Sequence, residues 1–160
     1  MTKSTIIIMF TSIIFYGCNS KSSDFSLTFY RWSIHEDYYL KLNNYDTILY
    51  IIDNPIEKMT RYALISEDDR ELLQSKIQDF NFPKTERFSS QIDDGLSYNF
   101  VYESDKQIKR LSNHVNSGPK EFWELGKLLE SLKAKYHFQE IKKDANLKEM
   151  NNFIFTNTSD

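Results

Sequence analysis

Hydrophobic and polar residues alternate along several short segments, a pattern that predicts β-strands with one buried face. In the first of them, Phe25, Leu27 and Phe29 are separated by Ser26 and Thr28. The predicted strands cover residues 25–30, 38–42, 46–52, 98–102 and 108–111, with a weaker apolar run at 59–65. Short polar turns separate neighbouring segments, so we expect hairpins.

Two other segments have helical spacing. Ser66 precedes the acidic residues 67–69, which favours a helix start, and Pro83 prevents continuation, so a helix is predicted over 66–80. A second helix is predicted over 119–136, with Pro119 at its first position. Its apolar residues recur every three or four positions, at Phe122, Leu125, Leu129, Leu132 and Tyr136.

This order of elements predicts an α+β fold with a mainly antiparallel sheet of four to six strands, in the order ββ(ββ)αββα, and two helices packed on one face. We expect a single domain over residues 25–140. The loop at 84–94 has a length at which irregular connections become uncommon. Residues 141–160 are predicted to be a C-terminal extension, either an extra helical turn with an edge strand or a partly disordered tail.

A different pattern precedes the strands. Lys3 is followed by a mainly apolar run of 11 residues, 6–16, and then by Gly17, with no acidic residue. This layout predicts a signal peptide over residues 1–17. As a helix the run spans about 16 Å, against about 30 Å for the hydrocarbon core of a bilayer, so it is too short to remain as a membrane span.

The residues around the single cysteine resemble the lipobox of bacterial lipoproteins. Phe15-Tyr16-Gly17-Cys18 is followed by a polar stretch, 19–24. Phe15 stands where lipoproteins usually have Leu, and Tyr16 replaces a small residue, while Gly17 and Cys18 fit the pattern. The resemblance implies that Cys18 carries fatty acyl chains such as palmitate, becomes the first mature residue, and starts a flexible tether over 18–24.

The cysteine count agrees with this interpretation, because a lone thiol cannot form an internal disulfide in an exported protein. The alternatives are a plain signal peptide with an incidental cysteine and an uncleaved anchor. The expected location is the bacterial cell envelope, with the protein attached to the membrane through its N-terminal lipid. Asn19 after the cysteine favours the outer membrane, and the side of the membrane stays open.

Charge excludes one class of partner. The chain of 160 residues has 20 basic and 23 acidic side chains, a formal net charge of −3. Affinity for nucleic acids comes mainly from neutralising phosphates with Lys and Arg, so we expect no nucleic-acid partner. The 12 Phe, 10 Tyr and 2 Trp accompany many Ile, Asn and Lys and few Ala, a composition that AT-rich codons produce without selection for binding.

One segment combines residue types that bind ligands. Trp32, His35, Glu36 and Asp37 lie between the first two predicted strands and together offer an aromatic ring, an imidazole and two carboxylates. The alternative is a polar loop whose Trp packs over the edge of the core. Because the four residues lack the spacing of metal ligands and the other histidines are distant in sequence, no metal is expected.

The remaining clusters of polar residues have structural explanations or lack a complete catalytic set. Helix capping explains the acidic residues 67–69, and a turn before Gly95 explains Asp93 and Asp94. Ser112-Asn113-His114 is a local cluster without an orienting acid. The chain has no Gly-x-Ser-x-Gly elbow and no glycine-rich phosphate loop, so the sequence predicts no catalytic residue and no cofactor.

From Tyr38 to Tyr136 the chain loosely resembles small exported bacterial domains of unknown function, through Ser66–Asp69, Asp94-Gly95 and Gly118-Pro119. Such domains bring no catalytic residues to transfer. We therefore expect a membrane-anchored envelope lipoprotein with a non-enzymatic binding or accessory domain, whose partner is another envelope protein or a glycan. The alternatives are a hydrolase or carbohydrate-binding module that uses residues 32–37, and an inhibitor or immunity-type protein.

Overall fold

The computed structural model describes residues 25–43, 46–78, 80–92, 94–104 and 107–155. The predicted signal peptide, Cys18 and the tether lie outside the described residues. Within them the chain forms strands β1 (Phe25–Trp32), β2 (Asp37–Asn43), β3 (Thr47–Asp53), β4 (Lys58–Leu64), β5 (Arg87–Phe88), β6 (Ser97–Ser104), β7 (Gln107–His114) and β8 (Gln139–Glu140), and helices α1 (Glu67–Gln78), α2 (Lys120–Lys135) and α3 (Lys148–Phe155). The predicted α+β class is confirmed.

All eight strands belong to one sheet, in the order β5-β7-β6-β1-β2-β3-β4-β8. The predicted size of four to six strands is therefore wrong, because two-residue strands extend the sheet at both edges. Neighbouring strands are antiparallel, except that β5 runs parallel to β7 through Arg87 and Phe88. β1 lies near the middle of the sheet and pairs with β2 on one side and β6 on the other.

Side chains of β1 enter two separate cores, because successive residues of a strand point to opposite faces of the sheet. Leu27 and Phe29 belong to one buried cluster, and Tyr30 belongs to another. We call the face of Leu27 the first face and the face of Tyr30 the second face. The first cluster also contains helical residues from α1 and α2, namely Leu73, Ile77, Phe122, Trp123, Leu125, Leu129 and Leu132.

Helix α2 approaches the sheet closely at Gly126. A Cβ atom at this position would lie 2.3 Å from the ring of Tyr98, so only glycine allows this approach. One turn earlier, Trp123 packs on the same ring with 4.8 Å between centroids. The fully buried ring of Tyr98 thus sets the distance between α2 and β6.

The start of α1 is joined to the end of α2 by a buried carboxylate. The backbone amide of Asp69 donates to the Ser66 hydroxyl at 3.4 Å, a capping interaction of the kind the sequence predicts. Asp69 Oδ2 accepts hydrogen bonds from Lys135 at 2.6 Å and Tyr136 at 2.5 Å. These hydrogen bonds, that of Lys135 first, hold the pKa of Asp69 below its ordinary value.

Residues 141–155 pack on the second face. Strand β8 pairs with β4, and α3 contributes Met150 and Phe153 to the cluster that contains Tyr30. The predicted order of elements thus lacked a third helix, which has only eight residues and gives little periodic signal. Of the two alternatives for 141–160, the described part has a helix, and residues 156–160 lie outside the described ranges.

Three polar contacts hold this C-terminal part on the sheet. The ammonium group of Lys41 donates to the carbonyl of Asn146 at 2.8 Å, and Arg110 pairs with Glu149 at 2.9 Å. Arg87 donates to the carbonyl of Phe153 and lies 4.5 Å from the centroid of its ring. Side chains from β2, β5 and β7 therefore reach the same segment.

Candidate functional site

The sheet register aligns four aromatic or polar residues across the second face. Trp32, at the end of β1, pairs with Asp37 of β2 and with Ser97 of β6, and Ser97 pairs with His114 of β7. We call these four residues the Trp32 row. Directly paired side chains on one face have Cβ atoms about 4.5–5.5 Å apart, so the row forms a continuous strip over four strands.

Ser97 and His114 are joined by a short hydrogen bond. Ser97 Oγ lies 2.6 Å from His114 Nδ1, and His114 Nε2 lies 2.6 Å from the carbonyl oxygen of Ile92. A carbonyl oxygen only accepts, so Nε2 carries a proton, and in the neutral ring Nδ1 then accepts the Ser97 hydroxyl. The pair ties the loop before β6 to the end of β7.

The turn after His114 has an unusual backbone. Val115 and Asn116 have φ angles of 46° and 56°, in the left-handed region, and Gly118 has a φ of 78°. This conformation is rare for a β-branched residue such as Val115 and costs on the order of 1–3 kcal/mol. The amide of Val115 donates to the carbonyl of Leu96 at 3.1 Å, so tertiary hydrogen bonding overrides the local preference and fixes this end of the row.

Trp32 lies beside a stacked tyrosine pair. It is partly buried and packs against the second-face cluster. Within that cluster the rings of Tyr30 and Tyr39 stack with centroids 4.4 Å apart. Burial, and to a lesser extent the charge of Asp37, raises the pKa of Tyr30 to about 12. Asp37 therefore places a negative charge next to an aromatic surface.

A half-open cavity of about 630 Å³ lies farther along the second face, between the β3–β4 hairpin and segment 141–147. Its apolar lining includes the buried residues Ile51 and Leu147. The polar residues that line it are Asp53, Lys58, Thr60, Glu140, Lys142, Lys143 and Asp144. The cavity has a volume typical of small-ligand sites, which measure about 300–1,000 Å³.

Asp53 connects the cavity with the Trp32 row. Burial raises the pKa of Tyr39 most, followed by the neighbouring Tyr30 and then by the charges of Asp53 and Asp37, so both carboxylates lie near that ring. The β2–β3 register pairs Tyr39 with Ile51, which directs Asp37 and Asp53 to the same end of the sheet. We call the Trp32 row and this cavity together the second-face groove.

The structure separates the four residues that the sequence grouped. Trp32 and Asp37 lie in the groove, whereas Glu36 accepts a hydrogen bond from Lys133 of α2 at 2.6 Å. His35 is exposed in the turn and lines neither the second-face cavity nor a second cavity of about 380 Å³ between the end of α1 and the start of α2. Proximity in sequence therefore accounts for only half of the predicted patch.

The carboxylate network around Glu36 ties the β1–β2 turn to α2. Arg31 Nε lies 2.5 Å from Glu130 Oε1, and the Tyr98 hydroxyl donates to Glu130 Oε2 at 2.6 Å. Burial, followed by the hydrogen bond to Glu130, raises the pKa of Tyr98. Because these side chains are hydrogen-bonded and ion-paired to one another, the network stabilises the fold. Glu36 is held on the side of α2 by its contact with Lys133.

The described residues offer few candidates for a metal site, a membrane-spanning helix or a pair of catalytic carboxylates. No group of three or more His, Cys, Asp or Glu side chains there could hold a metal ion. In the same ranges, none of the helices is long and apolar enough to cross a bilayer. Of the acidic clusters, residues 67–69 form the first turn of α1, Asp94 lies in a loop, and Asp93 is outside the described residues.

Comparison of the chain with protein-family models and with curated proteins identifies no relative. No family model matches the chain, and no curated protein matches it. The site is therefore assigned from its geometry and chemistry.

The sequence did not predict Asp53 and the other residues of the cavity as part of a site, nor the pair formed by Ser97 and His114. They are 17 positions apart and meet only through the register of β6 with β7. A usable signal existed, because the two residues flank the strands of the predicted second hairpin. Their position beside Trp32 had no such signal, since it depends on β6 pairing with β1, far away in sequence.

Proposed function

We propose that the protein is a bacterial envelope lipoprotein, acylated at Cys18, whose domain binds another envelope component without catalysing a reaction. The sequence Phe15-Tyr16-Gly17-Cys18 and the polar residues after it support lipid attachment, and Asn19 favours the outer membrane. In this proposal α1 and α2 share the first face, which leaves the end of the second face for a partner. The second-face groove is the observation that carries the binding role.

The position of the groove along β1 supports this role. β1 begins at Phe25, directly after the predicted tether, and ends at Trp32. Its eight residues span about 23 Å at about 3.3 Å per residue. An anchored domain would therefore carry the tether at one end of β1 and the groove at the other, directed away from the lipid attachment.

Processing at Cys18 is tested with the variant Cys18→Ala and with the lipoprotein signal-peptidase inhibitor globomycin. We expect the native protein in the membrane fraction, with an intact mass that fits acylated Cys18–Asp160. The variant and the inhibitor should change that mass and reduce membrane retention, while Ser22→Ala in the tether should leave both unchanged. Unaltered mass and retention after loss of Cys18 would refute lipid attachment.

The binding role is tested separately, with purified mature protein and detergent-solubilised envelope. We expect the protein to retain a reproducible envelope component, and substitutions in the groove should weaken that retention. If nothing is retained above background, the domain is not a binding module for the envelope.

A further inference from the structure

We propose that the second-face groove binds a polyhydroxylated glycan, with Trp32 as a stacking surface and the carboxylates of Asp37 and Asp53 as hydroxyl acceptors. This inference rests on the proposed binding function and names its ligand class. It depends on the shape of the groove, on the chemistry of its lining, on its charge and on the occupied sheet edge beside it.

The shape suits an extended ligand. Trp32 lies on β1 and Asp53 on β3, two strands away, which corresponds to about 10 Å at about 4.8 Å per strand. Asp53 also lines the cavity of about 630 Å³. A chain of linked rings can reach from the Trp32 row into this cavity, whereas a single compact ligand would occupy only one part.

The lining matches the two kinds of surface that a sugar ring presents. The C–H face of a pyranose is apolar and packs on aromatic or aliphatic side chains, here Trp32, Ile51 and Leu147. The hydroxyl edge can donate hydrogen bonds to carboxylate oxygens, here those of Asp37 and Asp53.

The charge of the groove favours an uncharged ligand. Acidic side chains in the Trp32 row and the cavity are Asp37, Asp53, Glu140 and Asp144, and basic ones are Lys58, Lys142 and Lys143. Asp53 and Lys58 already pair at 3.1 Å. A strongly anionic or cationic polymer would find opposing charges along the groove and gain no net steering.

A peptide added as an extra strand is disfavoured by the sheet edge beside the cavity. β8 already pairs with β4 at Arg61 and Tyr62. The amide of Ile141 also donates to the carbonyl of Thr60 at 3.0 Å. Strand addition needs free backbone groups along such an edge, so an occupant of the cavity must be recognised by side chains, as a glycan is.

The test measures binding of the full mature chain to two glycan sources. One is insoluble cell-wall glycan, assayed by co-sedimentation, and the other is a soluble neutral polysaccharide, assayed by calorimetry. Binding to either source supports the proposal, and the comparison between them identifies the origin of the ligand. Binding only to anionic polymers, abolished by moderate salt, would overturn it.

The residues are tested with Asp37→Asn and Asp53→Asn, which keep size and packing. We expect each variant to lower glycan affinity by about tenfold or more, which corresponds to about 1.4 kcal/mol. The matched control is Glu71→Gln, an exposed residue of α1 on the opposite side of the sheet. Undiminished affinity of the double variant Asp37→Asn/Asp53→Asn would overturn the assignment of the groove.

Tryptophan fluorescence gives an independent readout. Of the two tryptophans, Trp123 is buried under α2 and can be replaced by Phe to leave Trp32 as the only indole. A saturable change of this signal with glycan is expected, and its absence during measurable binding would place the ligand elsewhere. Retention of an envelope protein without glycan binding would defeat this inference alone, while retention of nothing would defeat the proposed function as well.

Discussion

At the scale of single residues, two buried charged groups each connect distant parts of the chain. Lys41 is largely buried on the second face, and burial lowers its pKa although Glu103 lies 3.9 Å away. Its hydrogen bond to the carbonyl of Asn146 holds the segment that lines the cavity. Asp69 connects the start of α1 with the end of α2, and hydrogen bonds from Lys135 and Tyr136 stabilise its charge. Burying an unpaired charge costs free energy, so the folded protein must keep each of these two groups in contact with its partners.

Replacing Asp69 with Asn tests the helix connection. Charge-assisted hydrogen bonds contribute about 1.5–3 kcal/mol, so we expect Asp69→Asn to lower the free energy of unfolding at pH 7 by about 1–3 kcal/mol. Because folding lowers the pKa of Asp69, this stabilisation is fully present above the ordinary carboxyl pKa of about 4 and is lost as the pH falls through the folded value. Urea unfolding at several pH values measures it.

The exposed neighbour Asp68 provides the control for that experiment. Asp68→Asn should change the free energy of unfolding by less than about 0.5 kcal/mol. A difference between native protein and Asp69→Asn that stays constant from pH 7 to pH 3 would contradict the assigned role of the Asp69 charge.

At the scale of elements, α3 depends on the sheet for its existence. Isolated helices shorter than about 12–15 residues are marginal in water, and α3 has eight. Its stability therefore comes from Met150 and Phe153, which are buried against the second face. Because the segment before α3 lines the cavity, docking of this helix also shapes the second-face groove.

Truncation of Phe153 tests this dependence. Phe→Ala substitutions in cores lower the free energy of unfolding by about 3–5 kcal/mol, and we expect Phe153→Ala to reach the lower part of this range. In this variant α3 should lose hydrogen-exchange protection before the central strands of the sheet do. Lys148→Ala, an exposed position on the same helix, is the control and should leave exchange unchanged. Equal protection of α3 in Phe153→Ala and native protein would show that the helix does not rely on this contact.

At the scale of the whole molecule, the two faces of one sheet carry two separate buried clusters. The first-face cluster is the larger one and includes residues of α1 and α2, and the second-face cluster includes residues of α3. The start of β1 and the Trp32 row lie at opposite ends of the same strand. An anchor at Cys18 followed by the six residues 19–24 would hold the start of β1 within about 25 Å of Cys18.

This arrangement predicts an average orientation on a membrane. We expect a fluorophore at Gln107→Cys, near the start of β1, to be quenched by lipid-linked quenchers more strongly than one at Ile56→Cys, in the β3–β4 turn at the groove end. A Cys18 acylated as proposed would have no free thiol to react with the label. Equal quenching at the two positions, with the protein anchored in vesicles, would show that the domain has no preferred orientation.

The sequence by itself determined the type and approximate bounds of the long elements. Alternation along residues 25–30 and 98–102 placed β1 and β6, and the spacing from Phe122 to Leu132 placed α2, because burial on one side produces a regular period. The short strands β5 and β8 escaped detection, and α3 was anticipated only as an extra helical turn in one of the two alternatives for residues 141–160, since two to eight residues contain too few repeats of either period.

The candidate site likewise contains residues that local sequence predicted and residues that only the tertiary structure brings together. Trp32 and Asp37 were predicted because an aromatic ring and a carboxylate stand close together in sequence. The same criterion grouped Glu36 and His35 with them, and the structure places these two outside the groove. Ser97, His114 and Asp53 join the groove only through strand register and through segment 141–147, which returns to the second face. Local sequence sets periodicity and turns, but pairing between distant strands is decided by burial of the whole sheet, and that is available only in the tertiary structure.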